Sequence, residues 1–292
     1  MRKIKKECLV LRLFAVVLKS FYYPRKGRHF QTTLHLCYRL VTLKEERAQI
    51  AFSVVKGLCF LHSRKIFLGN NLAPDKILII KEKEKIHSIF SYESPALKSD
   101  SSSATRREDL QHFSNLLVSV WSMDGDIKDL NHDQQHLVLK LREQTSDKSM
   151  GDIVKDVAFW SPGKIMEFLE SVSDILELKQ KAHRTALEED GHRIVGTSWL
   201  LKLDHILRAK VENDSKKRRN YDQRSVVDLL RVMRNLKCHF FNLTPEIRQC
   251  LGPLEDLGQK WTSLFPHLLS HVHKSMITFY KDKKLQQYQN IL

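Results

Sequence analysis

Acidic residues are in short supply along these 292 residues: 34 Asp and Glu stand against 49 Lys and Arg, a formal net charge of +15. An excess of that size favours polyanionic partners, nucleic acid first and acidic membrane surface second. Cysteine is scarce as well. Cys8, Cys37, Cys59, Cys238 and Cys250 form an odd set with no CxxC pair, which argues against a disulfide framework or a zinc site and suits a reducing, cytoplasmic compartment. His271 and His273 lack a cysteine or carboxylate partner at ligand spacing, so no metal is expected. With 10 glycines and 7 prolines, few turns are pre-set, and no internal repeat is visible. No apolar run is long enough to span a bilayer. The start, MRKIKKECLVLRLFAVVL, mimics a signal peptide, but Arg12 interrupts it and no small-residue cleavage site follows before Lys19. It reads as a strand or helix of an incomplete domain.

What is present is helical periodicity. LKEERAQIAFSVVKGLCFLH places Ile50, Val54, Leu58 and Leu61 on one helical face. DKILIIKEKEKIHSIFSY carries two short β-rich runs around a charged turn, a hairpin pattern. LKSDSSSATRRED reads as a polar loop, and DLQHFSNLLVSVWSM and HDQQHLVLKLREQ as helices. Ser161 before Pro162 is a helix start, followed by the apolar face of Ile165, Phe168, Leu169, Val172 and Leu176. TSWLLKLDHILRAKV predicts another helix and ENDSKKRRNYDQR a charged loop. In SVVDLLRVMRNLKCHF, Ser225 and Asp228 resemble a capping box, with Val226, Leu229, Leu230 and Met233 as the core stripe. TPEIRQCLGPL and FPHLLSHVHKSMITFY close the chain as helices. The expected fold class is mainly α, with a boundary near Lys155.

GLCFLHSRKIFLGNNLAPDKILII resembles the catalytic segment of protein kinases. Leu72 and Pro74 match the pattern and the chemistry is missing: Asn71 stands where the catalytic Asp would be, Ala73 replaces the phosphate-facing Lys, and Lys76 replaces the Mg²⁺-binding Asn. Tyr92, in IFSYES, takes the place of the metal-binding Asp, and no Gly-rich phosphate loop appears. About 40 residues precede the first helix, too few for a nucleotide-covering small lobe at typical strand lengths. The resemblance implies an irregular N-terminal segment over 1–40 and a degenerate kinase large lobe over 41–157. ATP and Mg²⁺ binding are expected to be lost, leaving no cofactor.

Over 158–292 the resemblance is to the kinase-extension nuclease family, carried by FWSPGKIMEFLESVSD, SVVDLLRVMRNLKCHF and FPHLLSHVHKSM in that order. That domain follows a kinase domain in the endoplasmic-reticulum stress-sensor kinase/endoribonuclease and, more distantly, in the 2-5A-dependent ribonuclease. The family is all-helical and cleaves RNA without metal by 2′-hydroxyl attack, leaving 2′,3′-cyclic phosphate ends. The reaction needs a group to take the 2′ proton, an acid for the 5′-oxygen and donors on the phosphorane-like transition state. By resemblance these roles fall on Tyr221, Arg234, Asn235 and His239. The residues agree: Asn235 and His239 are one turn apart, His239 lies near a helix C-terminus where the dipole favours a cation, and Arg234 offers paired donors to phosphate. Lys216, Lys217, Arg218, Arg219 and Arg231 are the expected RNA-backbone contacts. Cys238 stands where the stress-sensor pattern has a first histidine, and Asp222, Gln223 and Arg224 replace its Lys-Gly-Gly. Both departures bear on activity, since glycine permits backbone angles that other residues resist.

The expected function is a metal-independent endoribonuclease of the unfolded-protein response or RNA processing, on a catalytically dead kinase scaffold. The alternative is a non-catalytic RNA- or protein-binding module that regulates such a nuclease. RNA is the expected partner, together with a second copy or a related kinase/endoribonuclease as dimer partner. The expected location is cytoplasmic, on the cytosolic face of the endoplasmic reticulum if the chain is part of a longer one.

Overall fold

The computed structural model describes residues 44–69, 72–82, 85–90, 103–122, 125–143, 150–178, 181–217 and 220–276. The expectations placed on 1–40, Asn71, Tyr92, Arg218 and Arg219 lie outside the described residues.

Helix α1 (Lys44–Ser63) buries Ile50, Ala51, Val54, Val55 and Leu58, the face its periodicity marks. The hairpin follows as β1 (Ile77–Glu82) and β2 (Lys85–Phe90), antiparallel with Ile77 opposite Phe90. The Ser88 N–H donates to Ser53 Oγ at 2.8 Å and ties the hairpin to α1. Helix α2 (Ser103–Trp121) begins inside the stretch expected to be a serine-rich loop, so 103–109 are helical. Its buried Asp109 explains the order there. The carboxylate accepts from the Leu68 and Gly69 amides and sits 2.7 Å from His62 Nε2, pinning the turn after α1. Helix α3 (His132–Arg142) starts from a full capping box between Asn131 and Gln134. The short α4 (Met150–Val154) completes the first hydrophobic core.

The second core is all helical. It contains α5 (Pro162–Glu177), α6 (Lys181–Glu188), α7 (His192–Val195), a 3-10 turn at Trp199–Lys202 and α8 (His205–Lys217). It continues through α9 (Val226–Cys238), α10 (Pro245–Leu251), α11 (Leu257–Leu264) and α12 (Leu268–Met276). Ser161 caps α5 by accepting from the Lys164 amide, as the Ser-Pro start predicts. Two expectations are corrected. The TSWLLKLD segment is a 3-10 turn that breaks at Leu203 before α8. Glu212–Lys217, expected as loop, continue α8, and Lys210 pairs with Asp214 one turn on. Gly258 lets α11 cross the start of α5, because a β-carbon there would lie 2.1 Å from the Pro162 carbonyl oxygen.

The two cores trade places within one 3-10 turn. Val157 and Trp160 pack into the second core, Ala158 and Phe159 into the first. Apart from the two-stranded hairpin, the described residues are mainly helical. None of their helices is long and apolar enough to cross a membrane.

Candidate functional site

The stripe of Val226, Leu229, Leu230 and Met233 is fully buried, Val227, Arg231 and Val232 are buried beside it, and exposure comes at the C-terminal end of α9, at Cys238 and His239. Its start is fixed twice. Ser225 Oγ accepts from the Asp228 amide at 3.1 Å, one half of the expected capping box. The other half is absent: the Ser225 N–H donates to the Asp222 carbonyl, and Asp228 accepts from the Asp222 amide at 2.7 Å. The free helix amides go instead to Glu188 at the end of α6. Its carboxylate accepts from Val226 and Val227, both at 3.1 Å, and from the Ser225 hydroxyl. A carboxylate on a helix N-terminus meets both unpaired donors and the positive end of the dipole.

The loop that carries Tyr221 is held from the 3-10 turn. Trp199 Nε1 donates to the Asp222 carbonyl and the Trp199 amide to the Gln223 carbonyl, both at 3.0 Å, while Ser198 donates to Gln223 Oε1 at 2.7 Å. Asp222, Gln223 and Arg224 are not among the residues with positive φ. The loop therefore needs none of the conformational freedom of the glycines it lacks.

Three of the four expected site residues meet through their side chains. Asn235 Nδ2 donates to the Tyr221 hydroxyl at 3.1 Å, and Arg234 donates to Asn235 Oδ1 at 3.3 Å. Because Tyr221 accepts from the amide, its own proton is free for another acceptor. Arg234 also donates to Asp174 of α5 at 3.1 Å, with Glu177 at 3.9 Å. A guanidinium carries five donors, so donors remain for a phosphate. His239 ends α9: its amide donates to the Asn235 carbonyl and its side chain is exposed, one turn beyond Asn235. Its neighbour Cys238 lies 3.5 Å from Glu170. Burial first, then the Glu170 carboxylate, push its thiol up, which keeps it a neutral donor.

The remaining expected contacts separate. Lys216 is exposed on the last turn of α8, and Lys217 ends that helix. Arg231 is not placed for RNA. It is only 7% exposed, and its guanidinium is taken by Glu177 and Asp228. Glu170, Asp174 and Glu177 on α5 thus face Lys237, Arg234 and Arg231 on α9 as a ladder of ion pairs. These acidic partners, with Glu188 and Trp199, were missed in the sequence. Each lies twenty or more residues from what it holds, beyond any local pattern. In the first core, Ala73 precedes and Lys76 ends the 3-10 turn that leads into β1. Among the described residues, no group of three or more His, Cys, Asp or Glu is arranged to hold a metal ion. His271 and His273 diverge: the first bonds the Leu187 carbonyl at 2.7 Å, the second packs edge-on against Trp160.

Residues 165–289 match the family model described as Ribonuclease 2-5A. The serine/threonine-protein kinase/endoribonuclease IRE2 of Homo sapiens is 40% identical over 121 residues, covering 40% of this chain and 13% of that protein. The probable serine/threonine-protein kinase ireA of Dictyostelium discoideum is 34% identical over 153 residues, 50% of this chain and 15% of the relative. The sensor for unfolded proteins in the ER ire1 of Schizosaccharomyces pombe is 31% identical over 136 residues, 44% and 12%. The chain therefore spans a small fraction of the length of the curated relatives it matches. Residues 165–289, which include the α9 helix, thus carry the chain's similarity to the 2-5A ribonuclease, or kinase-extension nuclease, family.

Proposed function

We propose that the chain is a metal-independent endoribonuclease. The observation that carries this reading is the hydrogen-bonded series Arg234–Asn235–Tyr221 ending one turn from an exposed His239. Tyr221 orients the 2′-hydroxyl of the RNA. The 2′-oxygen attacks the adjacent phosphorus as its proton passes to solvent. Arg234 and Asn235 donate to the phosphorane oxygens, where charge develops. His239 protonates the departing 5′-oxygen. One P–O bond forms and one breaks, giving a 2′,3′-cyclic phosphate and a 5′-hydroxyl. Lys216 and Lys217, with Arg218 and Arg219, hold backbone phosphates in a salt-dependent way.

Residues 41–157 serve, in this reading, as a degenerate kinase lobe without phosphoryl transfer. Ala73 and Lys76 supply neither a phosphate-facing cation nor a metal ligand at the positions the kinase pattern requires. Control then passes from nucleotide to association with a second copy or with a related kinase/endoribonuclease. A relative named as a sensor for unfolded proteins in the ER supports a place in that response.

The test is incubation of the purified chain with a labelled hairpin RNA in excess EDTA. Fragments bearing 2′,3′-cyclic phosphate ends are expected. Cleavage that stops on chelation and returns with Mg²⁺ or Zn²⁺ would sink the mechanism. Tight RNA binding with no cleavage would favour the non-catalytic module.

A further inference from the structure

Immediately past His239 the chain makes a 3-10 turn, Phe240–Asn242, and presents a bare aromatic ring. Phe241 is 77% exposed, more than any other large hydrophobic residue among those described. The turn is not frayed. The Asn242 amide donates to the His239 carbonyl at 2.9 Å and the Leu243 amide to the Phe240 carbonyl at 3.2 Å. Phe240 and Leu243 on either side are buried in the second core. Phe240 also stands perpendicular to Phe241, with centroids 5.6 Å apart and planes at 88°. That contact supports the ring and leaves a face to solvent. Phe60, also exposed among the described residues, is already covered by the Arg64 guanidinium at 3.6 Å.

We infer that Phe241 is a stacking platform for an RNA base, that of the nucleotide on the leaving side of the scissile phosphate. The inference rests on the endoribonuclease reading above. In that reading His239 protonates the 5′-oxygen of the departing nucleotide, so this nucleotide lies beside His239. Phe241 is two residues on, within about 7 Å along the chain. A flat, rigidly presented ring offers a face to any base, so the contact fixes the position of the leaving nucleotide without selecting its identity. An unpaired base is required, because a ring in a duplex already stacks on its neighbours. The substrate class is therefore RNA with the nucleotide 3′ of the cut in a single-stranded loop or bulge.

The test is a double-mutant cycle with Phe241→Ala and Phe241→Trp. The cleavage position is first mapped on a labelled hairpin RNA, and a second RNA is made with an abasic nucleotide 3′ of it. Phe241→Ala is expected to lower cleavage of the intact RNA about tenfold, in line with the usual worth of one base–aromatic stack. Phe241→Trp should restore it, and Phe241→Ala should lose nothing further on the abasic RNA. Melting should be unchanged, since the side chain is exposed. Equal cleavage by Phe241→Ala and the parent chain overturns the inference, as does an equal loss on both RNAs. Should the parent chain cleave nothing, the nuclease reading fails on its own, and fluorescence of a single-stranded RNA carrying one 2-aminopurine still decides the stacking. Quenching lost in Phe241→Ala supports it, and unchanged quenching overturns it. Unaltered RNA behaviour with weaker self-association in sedimentation would assign Phe241 to a protein interface and also overturn the inference.

Discussion

Two basic or titratable residues of α9, eight positions apart, have opposite fates. Both His239 and Arg231 were expected to face RNA. His239 is exposed, and among the described residues no side-chain hydrogen bond or ion pair holds it. His239→Ala should therefore lower cleavage by about 10²–10⁴-fold, the usual worth of a general acid, while a thermal melt stays like the parent's. A melt that falls together with RNA affinity would make His239 structural, and full cleavage would make it a bystander. Arg231 is the converse case. Its charge is buried against Glu177 and Asp228, so Arg231→Ala removes the cation that lies between two carboxylates. A loss of about 3 kcal/mol is expected, read as a lower denaturation midpoint with binding and cleavage falling in step. An unchanged midpoint would show that the pair contributes nothing. The Asp228–Arg231 half of this network spans an i, i+3 spacing, although the sequence pattern assigns Asp228 to a cap and Arg231 to RNA. Glu177 was not legible, because only the packing of α5 on α9 brings it there. The basic run thus read as a uniform RNA-facing surface when one of its members belongs to the interior.

At the scale of elements, periodicity located most of the helices and could not locate their ends. The apolar faces of α1, α5 and α9 were readable, since burial of one face dictates the spacing. The ends depend on tertiary partners. The polar tail of α8 stays helical through its Lys210–Asp214 pair, and the start of α2 is anchored by Asp109. Short α6, α7 and α11 gave too few turns for a clear period. The most consequential end is the start of α9, where the sequence predicted a Ser225–Asp228 box and the structure keeps its Ser225 half and supplies Glu188. Glu188→Ala strips an acceptor from Ser225, Val226 and Val227 at once. A cost of about 1–2 kcal/mol follows from the loss of a cap, or a melting temperature lower by roughly 2–8 °C in a chain of this size. Glu188→Gln, which keeps one acceptor oxygen, should lose less. Identical melts for Glu188→Ala and the parent would show that solvent satisfies the α9 amides equally well.

For the whole molecule, the residues that join the two cores matter most, and their spacing in sequence concealed them. His132 and Asp133 open α3 in the first core; His267 and Ser270 belong to the α12 region of the second. The His132 and His267 rings stand 3.8 Å apart, with His136 one turn along α3 and Asp156 beside Asp133. Burial, then the charges of His267 and His136, push His132 below its usual value. Burial, then Asp156, push Asp133 up to about 7, against a smaller opposite effect of Ser270. The signs oppose. A histidine favoured neutral in the fold loses stability as pH falls below about 6.5, its unfolded value. A carboxyl favoured protonated in the fold contributes fully below its unfolded pKa and loses that contribution as pH rises to its folded value. The Asp133 window therefore runs from 3.8 up to about 7. Asp133→Asn isolates it, because the amide keeps the shape of the protonated acid and cannot ionise, while His132 titrates alike in both chains. Melts of the two proteins at about pH 5 and about pH 8 should diverge, with the variant gaining on the parent at the higher pH. A difference that stays constant between the two would mean that Asp133 reaches water in the folded chain, and that the junction carries no buried charge to titrate.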